Sequence, residues 1–265
     1  MAGGHIAEAV AAARVAREEL GLGLDQPVHD ILRVVEETQR LPVAVLSLGE
    51  GVAGAYIVRK GQPFVFLNGS QPVTRQRFTL AHELGHHRLG HAAVVDGVKE
   101  VDGTSKDPLE QQANAFAGEF LAPDHALRGW MEANRQPLID LIVLCRIASW
   151  FGISAPAAFV RLSQAEILRN AKQKADLQSL IKRGAHRGAE RALALEAVED
   201  TLAGINRENQ IPRMPLAMRD NALAAYAAGL IDLDRLASAL RQERSVTEQL
   251  VGDLGLVPAA PEPDW

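Results

Sequence analysis

The chain has 265 residues, an apolar share of 47% and a formal net charge of −5, which suits one large domain or two modest ones with a real core. This balance excludes disorder as the default and excludes a whole-molecule field strong enough to hold nucleic acid without specificity. Cys145 is the single cysteine, so no intrachain disulfide is possible, and its apolar setting in LIDLIVLCRIASWF predicts a buried thiol.

Residues 5–21 carry an Ala-rich amphipathic pattern with Ile6, Val10, Ala13, Val15 and Leu20 among the apolar positions. A helix is predicted there, stopped by Gly21-Leu22-Gly23. Charges interrupt this stretch, so it does not read as a secretory leader, and no segment approaches the ~20 apolar residues of a membrane span. The expected location is the cytoplasm, with no membrane partner. Asp25 is expected to cap a second helix, with Pro27 in its first turn and Val28, Ile31, Leu32 and Val35 on its apolar face.

The period then shortens. PVAVLSL (42–48), GAYIVRK (54–60) and PFVFLN (63–68) are β-branched or aromatic runs separated by glycine-bearing turns, a pattern that predicts an antiparallel meander. From Val73 the chain turns helical, with helices expected over about 73–90, 107–121, 138–151, 155–168, 171–183, 189–205, 217–229, 232–242 and 245–253. Pro123 in LAPD ends the second of these, because proline cannot continue the hydrogen-bond ladder. The apolar pattern lapses around Lys182-Arg183-Gly184 and again in NRENQIPRMP (206–215), and the tail VPAAPEPDW reads as frayed.

The stretch RFTLAHELGHHRLGH, Arg77 to His91, concentrates four histidines and a glutamate. His82 and His86 are four residues apart, so on a helix they lie about 40° from each other on successive turns of one face. Both imidazoles can reach one ion. Glu83 completes the H-E-x-x-H pattern, in which the two histidines bind zinc and the glutamate takes a proton from the metal's water as general base.

A zinc site that does chemistry needs a third protein ligand and an open fourth position. His87 follows His86 by about 100° around the helix and points off the metal face. His91 would suit the longer pattern H-E-x-x-H-x-x-G-x-x-H, but Gly90 and His91 are each one place out of register, with Leu89 and Ala92 at the required positions. They read as a helix terminus, with Gly90 near the C-cap. Glu110 is the remaining candidate. With Asp107 as N-cap and Pro108 behind it, Glu110 forms a capping box; yet it shares a stripe with Ala113, Asn114, Ala117 and Leu121 that should pack inward. A buried carboxylate needs a partner, and a metal ion is an adequate one. Glu110 is therefore the preferred third ligand, and the capping role need not exclude it.

RQRFTLAHELGHHRLGH followed by EQQANAFAGEFLAP resembles the ImmA/IrrE family of bacterial zinc metallopeptidases, whose signature is H-E-x-x-H and then E-x-x-A-N-x-F-A with L-x-P downstream. The likeness covers roughly residues 5–165 and rests on two motifs in the right order. It implies a zincin-like core in which His82, His86 and Glu110 hold Zn2+ and Glu83 is the catalytic base. It also implies, as substrate, a helix-turn-helix transcriptional repressor whose cleavage turns on stress, phage or mobile-element genes. Many members have glutamate two residues after the third ligand, where this chain has Gln112.

Members often carry a helix-turn-helix-like segment after the core, and residues 140–168 fit it, with a turn at Gly152 and Ser154 as N-cap of the second helix. Arg161 is the only basic residue between Ser154 and Leu168, too little to hold phosphates, so packing or partner docking is favoured over DNA contact. Residues 169–191 have seven basic against two acidic side chains, which reads first as a solvated helix face.

The expected fold class is α+β: a small antiparallel sheet packed with helices in a peptidase core over 1–168, a helical linker over 169–215 and a small helical region over 216–265. The expected function is a zinc endopeptidase. One rival is a zinc-bearing regulator without turnover, against which the intact Glu83 argues. The other is a DNA-binding regulator using helices of 140–168 or 230–253. One of the two strands GAYIVRK and PFVFLN is expected to present a free edge to the cleft for an extended peptide.

Overall fold

The structure, a computed structural model, describes residues 2–23, 25–49, 51–92, 94–97, 105–196 and 213–258. The expected helix end at 205, most of the pattern-poor stretch 206–215 and the end of the proline-rich tail lie outside these residues.

Helix α1 (Ala2–Glu19) lays Ala9, Ala13 and Ala16, all fully buried, against the helix Pro108–Leu121. Alanine at these spacings removes bulk and lets two backbones approach. Arg17, on the same helix, is also fully buried and donates to the carbonyls of Phe120, Gly23 and Gln26. Burial lowers its pKa to about 10, against the pull of Glu119 and Asp25, so it stays charged at neutral pH.

Helix α2 (Ile31–Gln39) begins five residues later than the expected start, capped by Asp30, whose carboxylate accepts from the Arg33 amide at 3.0 Å. Asp25 is not the cap. The carbonyls before Ile31 are used elsewhere: Gln26 O by Arg17, and Val28 O and His29 O by Arg77. A helix over 25–30 would have spent those acceptors on itself.

The sheet comprises β1 (Val43–Leu46), β2 (Val52–Arg59), β3 (Gln62–Asn68) and β4 (Val94–Gly97), in the order β1-β3-β2-β4. β2 and β3 form the expected hairpin through Lys60-Gly61, both at positive φ (51° and 74°), the geometry that matches strand twist in a two-residue turn. The meander is otherwise corrected. β1 pairs parallel with β3, Val43 opposite Val65, and β4 pairs antiparallel with β2, so the sheet is mixed. Val43, Ala44 and Val45 are all buried, as suits a strand covered on both faces.

Contrary to expectation β2 and β3 are both central: β4 covers β2 over Val52–Tyr56 and β1 covers β3 over Val65–Asn68, so neither offers a free edge along those spans. The outer side of β1 is occupied at Val45, which exchanges both backbone hydrogen bonds with Arg213 (2.8 and 2.9 Å). Arg213 also ion-pairs at 2.6 Å with Glu36, whose side chain is 5% exposed, and Glu36 accepts from the amides of Val43 and Leu216.

Helix α3 (Val73–Arg88) runs between the sheet and helix α4 (Pro108–Leu121), and its residues from Gln76 to His86 other than Phe78 are buried. Arg77 anchors it: the guanidinium donates to Gly152 O at 2.9 Å, His29 O at 2.8 Å and Val28 O. Pro123 closes α4 as expected, with Ala122 as C-cap. Helix α5 (Asp124–Ala133) follows at once and was not anticipated.

Helices α6 (Leu141–Phe151) and α7 (Ala155–Gln164) meet at a bend of 97°. Gly152 caps the first at φ 63°, and Ser154 caps the second by accepting from the Ala157 amide. Arg161 of α7 is turned inward, paired with Glu119 at 2.6 Å and Asp124 at 2.7 Å. Helices α8 (Ala171–Lys182) and α9 (His186–Glu196) come next, and Leu177, Ile181, Ala189 and Leu193 join the main apolar core. Helices α10 (Leu216–Ala227), α11 (Leu233–Leu240) and α12 (Arg244–Asp253) enclose a second, smaller cluster around Tyr226, Leu236, Leu240 and Val251. The α+β class with a helical C-terminal region holds. Among the described residues no single helix is long and apolar enough to cross a membrane.

Candidate metal centre

The packing of α3 on α4 sets the geometry. A Cβ on Gly85 would lie 3.1 Å from Phe116 Cβ and 3.2 Å from Ala113 Cα, so glycine is what lets the two helices close to backbone contact. That closeness carries Glu110, one turn before Ala113, up to the histidine face of α3.

Three donor atoms converge there. Glu110 Oε2 is 3.2 Å from His82 Nε2, Glu110 Oε1 is 3.5 Å from His86 Nε2, and the two Nε2 atoms are 3.0 Å apart. Both histidines are fully buried and Glu110 is 5% exposed. Burial alone would raise the Glu110 carboxyl, but the His82 and His86 imidazoles outweigh it and hold the pKa down at about 2. The carboxylate is therefore ionised across the physiological range.

The capping box closes only halfway. Asp107 accepts from the Leu109 amide at 2.9 Å, but its own amide donates to Ser105 Oγ and not to Glu110. Glu110 faces the histidines instead.

The far side of each ring is also engaged. His82 Nδ1 lies 3.1 Å from Asn114 Oδ1, and His86 Nδ1 lies 2.9 Å from His91 Nδ1. An amide oxygen only accepts, so the Asn114 contact holds a proton on His82 Nδ1 and leaves Nε2 to face Glu110. Nε2 and the carboxylate, 3.2 Å apart, can share a proton or, with the nitrogen deprotonated, hold a cation together. His82, His86 and Glu110 are the one group of metal-ligating side chains among the described residues whose donor atoms lie within 4.8 Å of one another. Two nitrogens and one oxygen fit zinc, which takes three such protein ligands where a fourth position stays open.

Glu83 is fully buried and sits against β2 at Gly54, where a Cβ would lie 2.7 Å from Glu83 Oε1 and 2.6 Å from Thr79 Cγ2. His87 turns to the sheet, as its position on the helix predicts: its Nδ1 is 3.1 Å from the Tyr56 hydroxyl. Burial, then Arg88, lowers the His87 pKa, which favours the neutral ring.

Gly90 and His91 terminate α3 as expected. Gly90 adopts φ 70°, and the His91 amide returns to His86 O at 3.0 Å, the hydrogen bond of a Schellman motif. Sequence reasoning missed that this turn lays the His91 ring on His86. It also missed Asn114 as a partner of His82, although Asn114 follows Glu110 by four residues on the same stripe, and it missed the Gly54 contact, which joins elements distant in sequence.

Comparison with known proteins agrees with this arrangement. Residues 38–163 match the model of the IrrE N-terminal-like domain. The chain is 33% identical over 78 residues, 29% of its own length and 49% of the relative's, to an uncharacterized immunity region protein 2 of Bacillus phage phi105. It is 30% identical over 95 residues, 36% of its length and 53% of the relative's, to metallopeptidase ImmA of Bacillus subtilis strain 168. The chain thus spans about half the length of these curated relatives. Residues 38–163, with paired histidines and glutamates on two packed helices, are thus similar to the IrrE N-terminal-like domain, and part of the chain is similar to a metallopeptidase.

Proposed function

We propose that the protein is a zinc-dependent endopeptidase of the cytoplasm that hydrolyses a peptide bond in a helix-turn-helix transcriptional repressor, thereby turning on stress, phage or mobile-element genes. The observation that carries the reading is the convergence of His82, His86 and Glu110 within 4.8 Å, with Glu83 of the same motif buried beside them.

In this reading His82 and His86 hold zinc through Nε2 and Glu110 holds it through its carboxylate. Zinc supplies Lewis acidity there, bringing the pKa of a water towards about 7 and polarising a substrate carbonyl. Glu83 accepts the water's proton at its carboxylate and passes it to the leaving amine. Burial of Glu83 strengthens its electrostatic influence on the reacting atoms. Asn114 keeps the His82 proton on Nδ1.

The repressor as substrate is supported by the motif likeness and by the relatives, one named a phage immunity region protein and the other a metallopeptidase. Nucleic acid as a direct partner is disfavoured by Arg161, the basic side chain of the second helix of the turn motif, because Glu119 and Asp124 engage it inside the fold.

The test is to incubate the zinc-loaded protein with the helix-turn-helix repressor encoded beside its gene. Cleavage by the wild type is expected, with zinc retention but no cleavage by Glu83→Gln, since an amide cannot accept the proton. Equal cleavage by that variant would overturn the role of Glu83, and a wild type that never cuts while fully loaded would favour a binding regulator.

A further inference from the structure

The Schellman turn after α3 does more than end a helix. Gly90 reverses the chain so that the His91 amide reaches His86 O at 3.0 Å and the His91 ring meets the His86 ring, Nδ1 to Nδ1 at 2.9 Å. The ring centroids are 5.0 Å apart and the planes are tilted by 66°, so the contact is made at ring edges. His86 shows the opposite nitrogen, Nε2, to His82 and Glu110.

A neutral imidazole has one N–H, and the partner at one nitrogen decides which nitrogen keeps it. Of two facing Nδ1 atoms, one donates and the other accepts. If His86 donates, its Nε2 is bare and directed at the other two donors. If His91 donates, His86 Nε2 carries the proton and is closed to a cation. An ion held at Nε2 requires the first arrangement, the one His82 takes when its Nδ1 donates to Asn114 Oδ1 at 3.1 Å and its Nε2 faces the same point. The two rings are thus steadied alike, by acceptors from different segments.

We propose that His91 is a positioning residue of the metal centre: it accepts the His86 Nδ1 proton, and so fixes the tautomer and orientation in which His86 Nε2 faces the ion. His91 is not itself a ligand, because it touches His86 on the side away from Glu110. The proposal rests on the metal-centre reading above. Outer hydrogen bonds of this kind commonly change metal affinity by about 10–100-fold when removed.

Zinc affinity, measured by competition with a chromogenic chelator, tests it on the wild type, His91→Phe and His91→Asn. Phenylalanine keeps a ring and removes the acceptor, whereas the asparagine Oδ1 falls where the histidine Nδ1 lay. His91→Phe is expected to bind zinc about 10–100-fold more weakly with one site retained, and His91→Asn to recover most of the loss, with the zinc-free proteins melting alike. Imidazole 15N spectra give a second readout, in which His86 is protonated on Nδ1 in the wild type and in His91→Asn but mixed in His91→Phe. Wild-type affinity in His91→Phe, or equal weakness in both variants, would overturn the proposal. Failure of the wild type to take up zinc would instead overturn the metal-centre reading.

Discussion

Gly54 of β2 and Glu83 of α3 occupy one space: a Cβ at position 54 would lie 2.7 Å from Glu83 Oε1, 2.6 Å from Thr79 Cγ2 and 3.1 Å from the Phe66 carbonyl. The glycine thereby seats the glutamate of the H-E-x-x-H motif against the sheet. Gly54→Ala is expected to displace the Glu83 carboxylate, since the Phe66 backbone cannot yield. Cleavage should fall by about 10–100-fold while zinc stays bound. Steady-state kinetics beside metal analysis checks this, and unchanged turnover would show that the Glu83 position is not set from Gly54.

Gly85 has the corresponding role between the helices, where a Cβ would press on Ala113 Cα at 3.2 Å and Phe116 Cβ at 3.1 Å. Gly85→Ala should force α3 and α4 apart, destabilise the fold by about 1–3 kcal/mol and weaken zinc binding by drawing Glu110 off the histidines. Chemical denaturation and metal titration of the same sample read both effects.

Glu119 is buried at 1% exposure and meets Arg161 at 2.6 Å and Arg14 at 2.8 Å. Arg161→Met leaves that carboxylate short of its inner partner. The expected loss is about 3 kcal/mol or more, relieved in the double variant with Glu119→Gln. A double-mutant cycle in urea measures the coupling, and additive losses would contradict it.

The Cys145 thiol is buried, and burial, then Glu190 and Asp140, pushes its pKa up to about 11. At pH 8 it is protonated and inert. A thiol reagent should react slowly with the native protein and fully in denaturant. The raised folded pKa also fixes a sign: the unfolded thiol, with a pKa of about 8.5, ionises first as pH rises. Its contribution to stability is complete below that pH and lost as pH climbs towards about 11. Fast native labelling at pH 8 would contradict the buried, protonated state.

The histidine face was legible because a four-residue spacing survives any choice of neighbours, and the inward stripe of Glu110, Ala113, Asn114 and Ala117 follows from the same arithmetic. Strand order was not legible. Val43 to Val45 are buried on both faces, so no alternation distinguishes a strand paired parallel to β3 from one in a meander. Strand β4 is short, and the Asp30 cap depends on where Arg17 and Arg77 find carbonyls across the fold. The partners of His91 and Asn114 were hidden for a related reason: a helix end and a stripe can be read from sequence, but the ring that each one meets is decided by tertiary packing.

In the proposed reading His82, His86 and Glu110 hold one zinc ion that serves Glu83. The most direct measurement is zinc per chain by elemental mass spectrometry on the wild type, Glu83→Gln and Glu110→Ala, each verified as folded. About one zinc per chain is expected for the first two, with nearly complete loss for Glu110→Ala. Full occupancy in Glu110→Ala, or none in the wild type, would contradict a site built on these three residues.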